Sequence, residues 1–391
     1  MSVVRWRRMS AMGAILFVLA LALALAAVVR SGVLGSDANV PQLRVVGSRL
    51  LGPDNKQVIL HGVDRSGTEY ACVSGLGIFS GPTDEASVMA MKNWGVDAVR
   101  LPLNEACWNA ESYVNPKYSG RNYQSAIERY VRLLISNGMV VILDLHWTDG
   151  RYTGKSSGCS SAEAICQKPM PDAAESIPFW TSVANAFKDN KNVIFDLFNE
   201  PFPDRALPSP TAAWRCWLYG GEYCSPGIHY RVAGMQTLVN TVRSTGANNV
   251  IMLGGLNYSG NLTEWLRYEP NDPDRNLAVS WHSYKLTSCS SVECWNAQVL
   301  PVIARVPVIV GEIGEHDCNS DYVRPLMSWL DRHKTSYLAW SWNANSSCDA
   351  SSKLITNWSG SPTVYGTAVE AHLRALAAGR AGGEVERRVP R

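Results

Sequence analysis

The chain has 391 residues, of which 46% are hydrophobic and 18% are charged, and its formal net charge at pH 7 is +2. So balanced a charge leaves no basic surface for a nucleic-acid partner, and we expect none. The length exceeds the roughly 250 residues of a plain eight-stranded α/β barrel, so a single domain of that kind would have room for insertions.

The first predicted element is an export segment. Arg5, Arg7 and Arg8 precede an uninterrupted apolar stretch over residues 11–29. This stretch is longer than the usual signal-peptide core of about 7–15 residues and close to the roughly 20 residues of a membrane span. Residues 1–38 are therefore either a cleaved signal peptide or a retained membrane anchor, with a short linker. Both alternatives predict an extracellular domain, because the arginines favour a cytoplasmic N terminus.

A parallel barrel is predicted for residues 39–378. Leu43–Val46 and Arg49–Leu51 flank Gly47 and Ser48, which predicts a β-hairpin at the barrel floor. After it, short β-branched runs alternate with amphipathic stretches, as is typical of an α/β fold and here of a (β/α)8 TIM barrel. The predicted strands are Val58–Asp64, Ala98–Asn104, Val140–His146, Val193–Glu200, Asn249–Gly255, Leu277–Tyr284, Pro307–Ile313 and Tyr337–Ala344.

Eight helical segments accompany these strands. Gly138 and Gly246 follow two of them, where a helix is expected to stop. After Ala378 the chain is rich in Gly and Arg without an apolar period, so residues 379–391 are expected to be disordered. The predicted helices are Glu85–Trp94, Tyr123–Ser136, Ile177–Lys188, His229–Ser244, Leu262–Tyr268, Cys294–Arg305, Tyr322–Lys334 and Val364–Ala377.

The ten cysteines fall into five pairs that are close in sequence. Each pair lies in segments that follow predicted strands, so five disulfides would staple the loops of one barrel face, in agreement with export. A metal site is the competing interpretation. The chain has no CxxC pair and no HExxH motif, so we expect no metal and no cofactor. The expected pairs are Cys72 with Cys107, Cys159 with Cys166, Cys216 with Cys224, Cys289 with Cys294, and Cys318 with Cys348.

Nearly every predicted strand ends in a polar or aromatic side chain. The carboxyl ends of barrel strands meet at one mouth, where a pair of carboxylates can protonate a glycosidic bond on one side and attack it on the other. Glu200 and Glu312 end two such strands. A lone strand-end histidine or arginine is commonly a hydrogen-bonded rim residue, but seven strands sharing the pattern indicate a site. The other residues of this set are Asp64, Arg100, His146, Asn199, His282, Tyr284, Trp340 and Trp342.

These motifs resemble glycoside hydrolase family 5, the cellulase family of clan A. The resemblance runs from about His61 to Gly366 and departs at Asp64, where many relatives have Asn in a Gly-x-Asn. It implies a retaining O-glycosyl hydrolase, similar to bacterial endoglucanases, with an oligo- or polysaccharide substrate. The motifs, in the family's order, are Arg100-Leu101-Pro102, Asp144-Leu145-His146, Asn199-Glu200-Pro201, His282-Ser283-Tyr284, Gly311-Glu312-Ile313-Gly314 and Trp340-Ser341-Trp342-Asn343.

The resemblance also implies roles in a double-displacement mechanism. Glu312 would be the nucleophile, and Arg100 and Tyr284 would donate hydrogen bonds that keep it ionised. Glu200 would be the acid/base, protonated at first so that it can assist the leaving oxygen. Asn199 would donate to the 2-hydroxyl of the sugar, although a strand-end Asn can also be a turn former.

Supporting side chains complete the expected site. His146 and His282 would orient sugar hydroxyls and the two carboxylates. Trp342 would offer an apolar ring to the sugar, but Trp340 is predicted to share its strand face, so the choice between the two rings stays open. Glu315 is a rival nucleophile that lies beyond its strand in a loop, which makes it the weaker candidate.

The glycan itself has several alternatives. A β-1,4-glucan is favoured by the likeness to endoglucanases around residues 340–366, while the family also includes enzymes for mannan, xyloglucan, β-1,3-glucan and glycolipids. The deciding loops would be residues 156–173 and 206–226. A non-catalytic carbohydrate-binding barrel is the alternative of another class, and the presence of both Glu200 and Glu312 argues against it. We expect a monomer.

Overall fold

The computed structural model describes residues 42–344 and 352–388, with side chains as far as Arg380. The expected signal or anchor, residues 1–38, therefore lies outside the described residues. None of the helices within these ranges has both the length and the hydrophobicity that crossing a bilayer requires.

A short antiparallel hairpin precedes the barrel. Strand β1 (Arg44–Val46) pairs with strand β2 (Arg49–Leu51), and Gly47 adopts a φ of +59° in the turn between them. The backbone N–H of Val45 donates to Asn276 Oδ1 at 2.7 Å, directly before a barrel strand begins. The hairpin therefore lies at the amino-terminal ends of the barrel strands, and the predicted floor hairpin is confirmed.

Eight parallel strands form a closed barrel, which confirms the predicted (β/α)8 architecture. Their order around the barrel follows the chain, and the last strand pairs with the first. Almost every strand residue is buried, which explains why each strand is a nearly continuous run of apolar residues in the sequence. The strands are β3 (His61–Asp64), β4 (Ala98–Asn104), β5 (Val140–Trp147), β6 (Val193–Asp196), β7 (Ile251–Gly254), β8 (Leu277–Tyr284), β9 (Val308–Gly314) and β10 (Ser336–Ala339).

Helices and short turns surround these strands. The segment predicted as a helix over Leu262–Tyr268 contains only a 3₁₀ turn at Trp265–Arg267, and two helices inside loops, Glu105–Asn109 and Pro210–Tyr219, were not predicted. A π-helical segment, Trp295–Val299, connects the short helices Val292–Cys294 and Leu300–Ile303. The helices are α1 (Glu85–Asn93), α2 (Glu105–Asn109), α3 (Arg121–Ser136), α4 (Ser176–Phe187), α5 (Pro210–Tyr219), α6 (Met235–Ser244), α7 (Val292–Cys294), α8 (Leu300–Ile303), α9 (Val323–Arg332) and α10 (Val364–Arg388).

The final helix reaches into the segment for which disorder was expected. Helix α10 continues past Ala378 to Arg388, and residues 389–391 lie outside the described residues. Arg380, inside the segment expected to be disordered, forms an ion pair with Asp97 at 3.2 Å and donates to the backbone oxygen of Gly95. Ala, Arg and Glu have high helix propensity, so this segment remains helical despite its glycines.

Four of the five predicted disulfides are present. The fifth expected pair, Cys318 with Cys348, includes a residue outside the described ranges. The longest link joins the turn after β3 to helix α2, which directly follows β4, and so connects two neighbouring loops at the barrel mouth. The confirmed pairs are Cys72 with Cys107, Cys159 with Cys166, Cys216 with Cys224, and Cys289 with Cys294.

A buried charged layer lies inside the barrel. The Arg100 guanidinium is fully buried, with Nη1 3.1 Å from Asp64, Nη2 3.1 Å from Asp144 and Nε 3.0 Å from Asp196. Nη1 also lies 2.8 Å from Glu312. One positive charge therefore faces four carboxyl groups, so they cannot all be ionised without a large electrostatic cost.

Burial explains how this layer avoids that cost. Removal from water raises the pKa of Asp144 and of Asp196 to about 7, against the attraction of Arg100. Burial likewise raises the pKa of Asp64 well above its ordinary value. The barrel interior therefore retains protons near neutral pH that the unfolded chain would release.

The longest disulfide is expected to stabilise the fold more than the shortest. Cys72 and Cys107 are 35 residues apart, and Cys289 and Cys294 are 5 apart. Loop-closure entropy then predicts losses of roughly 3–4 kcal/mol and roughly 2 kcal/mol in the free energy of unfolding for the two double Cys→Ser variants. Urea unfolding of both variants checks this order. Equal losses would mean that loop closure does not set the contribution of these bonds.

Asp196 is expected to make the fold less stable as pH rises. Its folded pKa of about 7 exceeds the unfolded value of about 3.9, so its contribution is complete below that lower value and is lost as pH rises through about 7. The free energy of unfolding should fall by up to about 1.4 kcal/mol per pH unit for each retained proton. Asp196→Asn should reduce this slope, measured by urea unfolding between pH 5 and pH 8.

Asp272→Asn provides the matched control. Asp272 also pairs with a buried arginine, since Arg243 Nε donates to it at 2.7 Å, but these hydrogen bonds outweigh burial and lower its pKa. Asp272 therefore stays ionised in both the folded and the unfolded state between pH 5 and pH 8. Its substitution should lower the free energy of unfolding by the same amount at pH 5 and at pH 8. An Asp196→Asn protein with the wild-type slope would contradict the proposed retention of protons.

Candidate active site

The barrel mouth contains a cavity of about 510 Å³. It opens at the carboxyl ends of the strands, where the sequence predicted a site. Six of the eight expected site residues line it, and a seventh, Arg100, contacts two of the six, Glu312 and Asn199. The lining residues are His146, Asn199, Glu200, Arg205, Asn257, Tyr258, Gly260, His282, Tyr284, Leu286, Thr287, Ser288, Glu312, His316 and Trp340.

Two carboxylates face each other in this cavity. Glu200 follows β6, Glu312 lies in β9, and a carboxylate oxygen of each lies within 4.8 Å of the other. His282 lies between them, with Nδ1 3.1 Å from Glu200 Oε1 and 3.7 Å from Glu312 Oε2. The two carboxyl groups are thus close enough to act together on one glycosidic bond.

Both oxygens of Glu312 accept a hydrogen bond. Arg100 Nη1 donates to Oε1 at 2.8 Å, and the Tyr284 hydroxyl donates to Oε2 at 2.5 Å. Burial raises the pKa of Tyr284 well above its ordinary value, so this hydroxyl stays a donor, and its ring is stacked on His316 at 5.2 Å. One charged and one neutral donor therefore fix the orientation of both Glu312 oxygens.

Glu200 has a different environment. Burial raises its pKa to about 7, so a substantial fraction remains protonated near neutral pH. Burial also lowers the pKa of His282 to about 3, so the imidazole next to Glu200 is neutral. A neutral ring nitrogen can accept a hydrogen bond from the carboxylic acid in one tautomer and donate to the carboxylate in the other. The same contact therefore suits both protonation states of Glu200.

The Asn199 side chain is held in one orientation. Arg100 Nη2 donates to Asn199 Oδ1 at 2.8 Å, and because a guanidinium only donates, the amide nitrogen must point away from it. That nitrogen donates to Gln167 Oε1 at 2.9 Å and lies 3.4 Å from His146 Nε2. Asp144 contacts the other ring nitrogen of His146 at 2.6 Å. The two N–H groups of Asn199 thus face Gln167 and His146, beside the carboxylate pair.

The aromatic wall of the cavity is Trp340, which corrects the expectation for Trp342. Trp342 is fully buried and packs edge-on against Trp94, with ring centroids 4.9 Å apart. Trp340 lines the cavity and is stacked on His146 at 5.5 Å, with 10° between the ring planes. Strand β10 ends at Ala339, so the alternation that was extended to Trp342 no longer applies there.

Glu315 lies outside the cavity. It is fully buried, and its Oε1 accepts hydrogen bonds from the backbone N–H groups of Tyr322 and Val323 at 2.9 and 2.8 Å, where helix α9 begins. A carboxylate in that position stabilises a helix N terminus. These hydrogen bonds at the helix terminus therefore explain the buried position of Glu315 without a catalytic role.

Two acidic groups among the described residues have the spacing of a metal site. One is Glu200 with His282 and Glu312, where Arg100 already supplies a positive charge to Glu312. The other is Glu315 with Asp317 and Asp321. Lys285 Nζ lies 2.6 Å from Asp317 and 2.8 Å from Asp321, so an ammonium group already occupies the second position.

One side of the cavity was not predicted from the sequence. Asn257 and Tyr258 follow β7, which ends at Gly254 and is followed by Gly255, so no polar strand-end residue pointed to this loop. Arg205 belongs to a 3₁₀ turn inside the long loop after β6, whose conformation has no strong sequence signal. The missed lining residues are Arg205, Asn257, Tyr258, Gly260, Leu286, Thr287, Ser288 and His316.

Several characterised proteins are similar to this chain in sequence. Endoglucanase B of Clostridium cellulovorans is 30% identical over 207 residues, which cover 52% of this chain and 42% of the endoglucanase. Mannan endo-1,4-beta-mannosidase of Cellvibrio japonicus is 24% identical over 266 residues, covering 63% of this chain and 52% of the mannosidase. The chain thus spans about half the length of these relatives.

Solved structures share the fold, and a family model covers most of the barrel. The β-glucanase of Saccharophagus degradans, in complex with cellotetraose, has a TM-score of 0.65 at 17% identity, covering 86% of this chain and 94% of that protein. The family model described as Cellulase (glycosyl hydrolase family 5) matches residues 60–346, from the first barrel strand to just beyond the last. The chain therefore belongs to the cellulase family, glycosyl hydrolase family 5.

Proposed function

We propose that the protein is a retaining endo-acting glycoside hydrolase that cleaves β-1,4 bonds of a β-glucan. The observation that carries this proposal is the pair of carboxylates within 4.8 Å of each other, which have different surroundings. Glu312 accepts hydrogen bonds from Arg100 and Tyr284, while burial raises the pKa of Glu200 to about 7. The raised pKa suits a general acid, and the fixed oxygens of Glu312 suit a nucleophile.

The first step forms a glycosyl-enzyme. A carboxylate oxygen of Glu312 bonds to the anomeric carbon as the bond from that carbon to the leaving oxygen breaks. Glu200 transfers its proton to the leaving oxygen and becomes a carboxylate. Positive charge builds up at the anomeric carbon in the transition state, and an Asn199 N–H bond to the 2-hydroxyl strengthens as it does.

The second step releases the sugar. The Glu200 carboxylate takes a proton from water, the water oxygen bonds to the anomeric carbon, and the bond to Glu312 breaks. Two displacements at one carbon retain the β configuration. The neutral His282 beside Glu200 can accept or donate in turn, which suits a residue that changes from acid to base.

The relatives support a β-glycan as substrate. They include an endoglucanase and a mannosidase, and the cellotetraose complex is that of a β-glucanase with the same fold. The flat ring of Trp340 on the cavity wall suits the apolar face of a glucose unit. We also place the enzyme outside the cell, since four disulfides are typical of exported proteins.

A panel of polysaccharides tests the substrate. Soluble β-1,4-glucan should be cleaved internally, so viscosity should fall faster than reducing ends appear, and β-mannan, xyloglucan and β-1,3-glucan should be cleaved more slowly. Glu312→Ala is the control for contaminating activity. Faster cleavage of mannan would replace the glucan assignment, and no cleavage of any glycan would favour a binding barrel.

Variants of the two carboxylates test their roles. Glu312→Ala should abolish turnover, and azide should restore cleavage of an activated aryl glycoside with an α-glycosyl azide as product, because a small anion replaces the missing nucleophile. Glu200→Ala should keep kcat/KM on 2,4-dinitrophenyl glycosides, whose leaving group needs little protonation, and lose roughly 10²–10⁴-fold on a glucan oligosaccharide. Nuclear magnetic resonance of the azide products checks the stereochemistry. Identical responses of both variants would overturn the assignment.

A further inference from the structure

Three consecutive residues after β7 adopt a left-handed backbone. Asn257, Tyr258 and Ser259 have φ values of +51°, +59° and +59°. L-residues other than glycine enter this region rarely and usually singly, with Asn the most tolerant of it. Such conformations persist only where surrounding contacts impose them, and they cluster at functional sites. We call Asn257–Ser259 the left-handed turn.

The turn holds the backbone on both sides of Glu200. The Tyr258 N–H donates to the backbone oxygen of Pro201 at 3.0 Å. The Ser259 hydroxyl donates to the backbone oxygen of Asn199 at 2.8 Å. Residues 199 and 201 are therefore both hydrogen-bonded to one rigid segment, with Glu200 between them.

The same turn also holds the side chain that contacts Glu200. The backbone oxygen of Ser259 accepts the N–H of His282 at 3.1 Å, and the His282 ring is 3.1 Å from Glu200 Oε1. Ser259 is thus connected to Glu200 by two routes, one through the preceding residue and one through the imidazole.

The residues packed around Ser259 restrict its hydroxyl group to one position. Ser259 is fully buried, and a Cβ built on Gly254 would lie within van der Waals overlap of its Oγ. Gly254, at the end of β7, therefore provides the space that this hydroxyl occupies. At the other end of the turn, the Asn257 N–H donates to Asp204 Oδ1 at 3.0 Å.

A buried serine that only satisfies a turn is the simpler explanation. It does not account for three left-handed residues in a row, or for bonds on both sides of one acidic residue. We propose that Ser259 is a positioning residue that fixes Glu200 where it can protonate the leaving oxygen. This inference rests on the proposed function of Glu200 as acid/base.

The expected signature is a dependence on the leaving group. Misplacing the acid slows only those reactions in which the leaving oxygen needs a proton, whereas loosening the whole site slows all of them. The Ser259→Ala variant should lose roughly 10- to 100-fold in kcat/KM on cellotetraose. On 2,4-dinitrophenyl β-cellobioside it should lose less than about 3-fold, because that leaving group departs with little help.

Two further variants make the test selective. Gly254→Ala should displace the Ser259 hydroxyl and reproduce the same split between the two substrates. Ser283→Ala is the matched control, because Ser283 is also a fully buried serine near the mouth, but its hydroxyl bonds to Tyr322 at 2.6 Å and does not touch Glu200. Any loss in the control should be equal for both substrates.

The outcomes separate this inference from the proposed function. Glu200→Ala, assayed beside the others, must show the split if Glu200 is the acid/base. If it does not, the acid/base assignment fails and the inference fails with it. A different result would be that Glu200→Ala shows the split while Ser259→Ala and Gly254→Ala lose kcat/KM equally on both substrates, or on neither. That result would overturn the positioning role alone.

Discussion

The ion pairs of Arg100 connect the barrel core to the site at its mouth. One guanidinium donates to carboxyl groups from β3, β6 and β9 and lies 3.1 Å from a fourth on β5. A buried arginine with so many acceptors is fixed in place, and so are the strands that carry them. Because the same guanidinium orients Asn199 and Glu312, the geometry of the site follows directly from the packing of the barrel interior.

The two central glutamates illustrate how one fold gives the same type of side chain two different environments. Glu312 lies inside the barrel strand and receives both a charged and a neutral donor. Glu200 lies beyond the end of β6, its side chain contacts the neutral imidazole of His282, and burial raises its pKa. The two glutamates differ because they lie at different depths along the barrel axis. Arg100, in the charged layer below the mouth, donates a hydrogen bond directly to Glu312, whereas its charge acts on Glu200 over a longer distance.

The local pattern of apolar and polar residues predicted the barrel strands well, but it predicted only some of the residues that line the cavity. Strands Ala98–Asn104 and Leu277–Tyr284 were predicted to the residue, because uninterrupted apolar runs end there in polar side chains. Trp342 was misplaced because the strand period was continued beyond Ala339, where the strand stops. The left-handed turn had no sequence signal at all, since its backbone is imposed by contacts with residues some 60 positions away, such as Asn199. Prediction from sequence therefore fails where distant contacts, rather than local preference, determine the conformation.

The charged layer also changes how the whole protein behaves as a polyelectrolyte. A formal net charge of +2 treats every Asp and Glu as ionised, but burial keeps Asp64 and part of the Asp144 and Asp196 population neutral near pH 7. Near pH 7 the folded protein is therefore more cationic than its amino-acid composition implies. Its long-range attraction to acidic surfaces, and its mobility in an electric field, are set by the fold as well as by the sequence.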